Sequence, residues 1–96
     1  MPTITVLIGN SDDKLPQRQW YNFVREMENC IRHFANEFHF SGGSDCKSLY
    51  QNYCFVFDME PCEKMISKLK FSVKDIRKFY GQDSVALLSS DETEFI

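Results

Sequence analysis

Short β-branched or aromatic runs alternate along the chain with longer stretches in which apolar residues return every three or four positions. Thr3-Ile4-Thr5-Val6-Leu7-Ile8 is β-branched and apolar and stops at Gly9-Asn10-Ser11-Asp12-Asp13, which predicts a strand ending in a polar loop. Pro16 suits the first turn of a helix, where its missing N–H costs nothing. Trp20, Phe23, Val24, Met27, Ile31 and Phe34 then form one stripe, predicting a helix from about Pro16 to Phe34 with a single buried face. Glu37-Phe38-His39-Phe40 reads as a second strand. Ser41-Gly42-Gly43-Ser44-Asp45 should break it, because two adjacent glycines allow positive φ and mark a loop.

From Leu49 to Asp58 the chain alternates again, with Tyr53, Phe55 and Phe57 pointing one way and Asn52, Cys54 and Val56 the other. The second set is also mostly small and apolar, which predicts a central strand. Cys62, Met65, Ile66, Leu69, Val73, Ile76 and Tyr80 follow one helical face, and Gly81 is a natural stop. Ser72 followed by Asp75 resembles a weak N-cap, so the region reads either as one helix or as two short helices with a break near Phe71. Ser84-Val85-Ala86-Leu87-Leu88 is the last full strand, and Thr93-Glu94-Phe95-Ile96 suggests a short edge strand after a turn.

The order β-α-β-β-α-β, with right-handed crossovers, predicts an α+β ferredoxin-like split βαβ sandwich. Both helices then cover one face of an antiparallel sheet of order 4-1-3-2. The other face is solvated or covered by a partner. Phe38, Phe40, Tyr50, Tyr53, Phe55 and Phe57 are more large side chains than one helix layer requires. An apolar open face predicts a homodimer.

Composition narrows the class. Ninety-six residues, 43% hydrophobic and 15% aromatic, suffice for one domain with its own core and do not describe a disordered chain. No run reaches the roughly 18 apolar residues of a membrane span, and the first residues have no signal-peptide pattern, so a cytoplasmic setting without a membrane is expected. In that setting Cys30, Cys46, Cys54 and Cys62 are expected as reduced thiols. Zinc at Cys30 and His33 is the alternative, but no tight Cys pair supports it. The net charge of −3 is uneven: residues 63–78 hold six basic side chains (Lys64, Lys68, Lys70, Lys74, Arg77, Lys78) against two acids. Such a helix is expected to show a solvated basic side, or to meet an anionic partner.

Candidate chemistry follows from the topology. Three connections should emerge at one end of the sheet, bringing together Asn10, Ser11, Asp12, Asp13, Ser41, Gly42, Asp45, Gln51, Asn52 and Asp83 as a ligand-binding end rich in exposed polar loops. Backbone N–H groups at the start of the first helix would be available there to an anion. Substitutions at these exposed positions should impair binding while leaving stability nearly intact. The segment after the first strand is neither a P-loop nor a dinucleotide fingerprint, and no Ser sits in a nucleophile elbow. No catalytic residue, cofactor or resident metal is implied. The competing reading is a metal-assisted hydrolase or nuclease using Asp12, Asp13 and Asp45 with His39, which has no orienting partner adjacent in sequence. Tyr53, Phe55 and Phe57 lie where an RNA-recognition sheet would stack bases, but the basic-Gly-aromatic pattern is missing and the isoelectric point is near 5.3, so nucleic acid is not the expected partner.

Ile8-Gly9-Asn10-Ser11-Asp12-Asp13-Lys14-Leu15 with Trp20, Tyr50-Gln51-Asn52-Tyr53-Cys54, Tyr80-Gly81-Gln82-Asp83-Ser84-Val85-Ala86 and Thr93-Glu94-Phe95 together resemble small uncharacterised proteins of phages and bacterial mobile elements. The resemblance spans most of the chain and brings no catalytic residues. It implies a phage-type accessory protein in the host cytosol. Such a protein works by binding, either blocking a host protein or sequestering a small anionic ligand such as a nucleotide.

Overall fold

The computed structural model describes residues 2–10, 14–44 and 51–90. Six elements follow in the order β1 (Thr3–Gly9), α1 (Gln17–Phe34), β2 (Glu37–Gly43), β3 (Asn52–Asp58), α2 (Glu63–Phe79) and β4 (Ala86–Ser90). The strands form one antiparallel sheet of order β2-β3-β1-β4. This is the expected α+β sandwich of ferredoxin-like type, with β3 and β1 in the centre.

Period-two alternation decides the sheet's two faces. Ile4, Val6 and Ile8 of β1 and Phe55 and Phe57 of β3 are buried against Trp20, Phe23, Met27 and Ile31 of α1 and Leu69 and Val73 of α2. Both helices therefore lie on the same side. Residues between them in sequence look out of the uncovered side, where the register aligns them in rows. One row is Phe40, Val56, Thr5 and Leu88; the next is Gly42, Cys54, Leu7 and Ala86; a third, polar row is Glu37, Asp58, Thr3 and Ser90.

α1 begins directly after Pro16, whose carbonyl accepts the Trp20 N–H at 2.9 Å. It ends where Ala35 turns extended, and Asn36 then caps the neighbouring connection by accepting the Glu60 N–H at 2.9 Å. α2 is one continuous helix, which decides between the two alternatives: Ser72 lies inside it, and Leu69 and Val73 stay on one buried face across that point. Gly81 ends it as expected. Its φ of +66° lets its own N–H reach Lys78 and the Gln82 N–H reach Arg77, both at 3.1 Å, which is a Schellman closure.

β2 differs most from expectation. The strand runs through Ser41, Gly42 and Gly43, and neither glycine has positive φ. Their small size is used for close approach. A Cβ on Gly42 would sit 2.7 Å from the Phe40 ring, and one on Gly43 would collide with the Tyr53 ring and the Asn52 carbonyl. β2 also carries a bulge between Phe38 and Phe40, so that Phe38 faces the core opposite Phe57 while Phe40 faces out opposite Val56. β3 ends at Asp58 as expected and starts at Asn52, and β4 is shifted by two residues from the predicted span, to Ala86–Ser90. The short strand expected at 93–96, like Leu49 and Tyr50, lies outside the described residues.

The expected surplus of outward aromatics is smaller than the sequence suggested. Phe55 and Phe57 are wholly buried, and Phe38 and Tyr53 pack against the core. The large apolar side chains exposed on that face are Phe40, Leu88 and Leu7, at 56, 54 and 39% exposure. Tyr53, Phe55 and Phe57 therefore offer no base-stacking platform. No helix among the described residues is long and apolar enough to cross a membrane.

Candidate functional site

At the end where β1 stops, two of the predicted polar residues, Asn10 and Gln51, meet and bond to each other and to Leu15 and Gln17. Asn10 donates from Nδ2 to the Leu15 carbonyl at 2.9 Å and to Gln51 Oε1 at 3.2 Å, and its Oδ1 accepts the Leu15 N–H at 2.9 Å. Gln51 Nε2 donates to Gln17 Oε1 at 3.0 Å, and the Gln51 carbonyl accepts the Asn10 N–H at 2.9 Å. Asn10 and Gln51 are each 5% exposed. The expectation that these are exposed loop residues is corrected. A side chain reaching back over a short connection can satisfy backbone groups the loop would otherwise strand.

Asn52 pairs with Gly9 across the sheet and closes β2 through Ser44, whose Oγ accepts the Asn52 N–H at 3.0 Å. Ser41 and Gly42 are strand residues opposite Phe55 and Cys54 rather than loop residues. Asp83 shares the end with Asn10, since Lys14 Nζ is 3.4 Å from its carboxylate. Ser11, Asp12, Asp13 and Asp45 lie outside the described residues. His39 is at the other end of the sheet, beside Asp58, which supplies the orienting partner that sequence proximity did not.

One of several grooves on the described surface lies between α2 and β4. A groove of about 420 Å³ is lined on its apolar side by Val73, Val85 and Leu87 and on its polar side by Lys70, Lys74 and Arg77, with Asp83 and Ser84 completing it. The size falls in the range of small-molecule pockets, roughly 300–1,000 Å³. Lys70, Lys74 and Arg77 recur at spacings of four and three, so one flank of α2 presents all three. Arg77 donates from one Nη to the carbonyls of Gln82 and Asp83, at 2.8 and 3.2 Å, and its guanidinium keeps further N–H groups. Asp83, the one acid lining the groove, is offset by Lys14. The basic run was visible in the sequence. What made it a site, the approach of β4 against that flank, was not.

Three cysteines are described. Cys30, Cys54 and Cys62 are free thiols, and burial pushes the Cys30 thiol above its usual range, which weakens it as a nucleophile. Cys30 and His33 gather no third ligand among the described residues. One group of three metal-ligating side chains occurs there, Glu37, His39 and Asp58.

No protein family matches the chain, and no curated protein does. Among solved structures it is similar to the Arabidopsis thaliana protein At3g17210. The crystal structure aligns with a TM-score of 0.63 and 14% identity over 98% of both chains. The solution structure, described as a hypothetical protein, aligns with a TM-score of 0.58 and 12% identity over 99% of this chain and 91% of that one. A phage SAM lyase without ligand is further away, at a TM-score of 0.46 and 10% identity over 97% of this chain and 92% of that one, too weak a likeness to build on. At such identities the Arabidopsis likeness extends to architecture: the two chains share an α+β sandwich from end to end.

Proposed function

We propose that the protein is a non-catalytic binding protein that takes a small anionic ligand, such as a nucleotide, in the groove between α2 and β4. The observation behind this reading is the pairing of Lys70, Lys74 and Arg77 with the apolar side chains of Val73, Val85 and Leu87. Cations next to an apolar wall suit a ligand that is part phosphate and part flat ring. A phage-type accessory role in sequestering a signalling nucleotide agrees with that chemistry. Calorimetric titration with a panel of mono-, di- and cyclic nucleotides tests it. A micromolar or tighter partner is expected, weakened at least tenfold by Lys70→Glu with Lys74→Glu. Equal binding by the double variant, or no binding across the panel, overturns the assignment.

Self-association through the uncovered sheet face is a companion reading, favoured by the two outward rows that carry Phe40, Val56, Leu88 and Leu7. Apolar side chains of this size, contributed by all four strands, are what a second copy would cover. Light scattering at high micromolar concentration should give a dimer mass. Phe40→Ser with Leu88→Ser should give a monomer of unchanged circular dichroism. A monomeric parent protein would defeat this reading.

A further inference from the structure

We propose that Glu37, His39 and Asp58 bind a divalent transition-metal ion, with zinc as its representative, at the end of the sheet opposite the Asn10–Gln51 network. The site is separate from the α2–β4 groove and does not depend on it. Each of the three residues offers one donor atom, and the three atoms lie within 4.8 Å of one another. Two ligands held about 2.0–2.2 Å from one zinc ion stand roughly 3–4 Å apart. His39 Nε2 and Asp58 Oδ2 are already at 3.0 Å, the separation of neighbouring ligands on a shared ion. Small side-chain rotations of Glu37 close the remaining distance.

The fold produces this convergence from residues that are 19 and 21 positions apart in sequence. Glu37 is directly opposite Asp58 in the β2–β3 ladder, so both face the uncovered side of the sheet. The bulge then slows the register by one residue, and His39 falls between the Phe57 and Val56 positions instead of opposite Val56. Bulges re-aim side chains in this way next to functional sites. Thr3, from the strand on the far side of β3, donates its hydroxyl to Asp58 Oδ1 at 2.8 Å. That bond leaves Oδ2 for the ion and fixes the carboxylate's orientation, the role an outer hydrogen-bond partner plays in metal sites.

The donor set selects the metal class. One imidazole nitrogen with two carboxylates suits zinc or manganese, whereas magnesium and calcium take oxygen ligands throughout. The ion replaces the proton on His39 Nε2 and offsets the charge of two carboxylates placed side by side. Glu37 and His39 are exposed and Asp58 is partly so, which leaves further coordination positions open to water or to a ligand atom.

The test is calorimetric titration of the chelator-treated full chain with zinc chloride, run in parallel with the histidine ring resonances by NMR. Expected are one zinc per chain, a shift of the His39 ring signals on zinc addition, and at least tenfold weaker binding in His39→Ala and Asp58→Asn. Cys54→Ser with Cys62→Ser should bind zinc as the parent does. Binding unchanged by His39→Ala, binding lost only with the cysteines, or no heat and no His39 shift at tenfold excess zinc would each overturn the proposal. Circular dichroism checks the fold of each variant. Should Asp58→Asn fail to fold, the exposed His39→Ala decides alone.

Discussion

The two ends of the sheet both collect polar side chains, and they use them in opposite ways. Where β1 ends, Asn10 and Gln51 are buried neutral amides, and Asn10 bonds to Leu15 and Gln51 through both sides of its amide. Where β1 begins, Glu37, His39 and Asp58 are charged or titratable and exposed or partly so, and Asp58 joins Thr3 to His39. Burial forces the first set to pair internally, since an unpaired polar group out of water costs about 1–3 kcal/mol. Water imposes no such demand on the second set, which keeps lone pairs available. Polar residues grouped at a loop-rich end are therefore not a binding site by virtue of grouping. Their spare capacity decides.

The largest expected effect lies at the amide end. Asn10→Ala removes the acceptor of the buried Leu15 N–H and a donor to Gln51, and should cost about 1–3 kcal/mol. His39→Ala, at the open end, should stay within about 0.5 kcal/mol of the parent. Urea unfolding of the two variants measures both, and equal losses would erase the distinction between the ends.

A smaller effect concerns pH in the metal-free protein. The Thr3 hydroxyl bond first, and the His39 contact second, hold the Asp58 carboxyl below the ordinary aspartate value of 3.8. A folded-state value lowered in this way contributes stability that is present above pH 3.8 and lost as pH falls through the folded value. Thr3→Val should raise the Asp58 titration midpoint and make acid unfolding begin at higher pH, without altering stability at pH 7 beyond the hydroxyl's own share. Carboxyl NMR titration reads the midpoint directly. An unmoved midpoint would mean that the hydroxyl bond does not orient Asp58.

Helix α1 was legible almost residue by residue, because Trp20, Phe23, Met27 and Ile31 encode one face through spacing alone. Topology followed from the order of elements and the handedness of crossovers. The failures share a cause. Gly42 and Gly43 suggested a turn, yet they are needed small because the ring of Phe40 on their own strand and that of Tyr53 on the next lie over them, a fact about side-chain packing on the sheet. Ser72 suggested a helix start, yet burying Leu69 and Val73 on one face outweighs a weak cap. Asn10 and Gln51 were recognised as neighbours while their exposure was misjudged, because nothing local reports that Leu15 and Gln17 close over them. The Glu37–His39–Asp58 cluster was out of reach for a related reason. It depends on a register and on one extra residue in β2, and a single sequence encodes neither directly.

Arg77 occupies two roles that the neighbouring lysines do not share. Its guanidinium clasps the carbonyls of Gln82 and Asp83, so the same side chain that faces the groove also holds the turn delivering the chain from α2 into β4. Lys70 and Lys74 project from the helix and bear no such duty. The groove is thus divided into an evolvable part and a fixed part. Descendants of this sequence are free to exchange either lysine and so change the charge along the groove. A change at Arg77 would alter preference and architecture together. Diversification of this surface should run along the lysines, with the arginine as its hinge point.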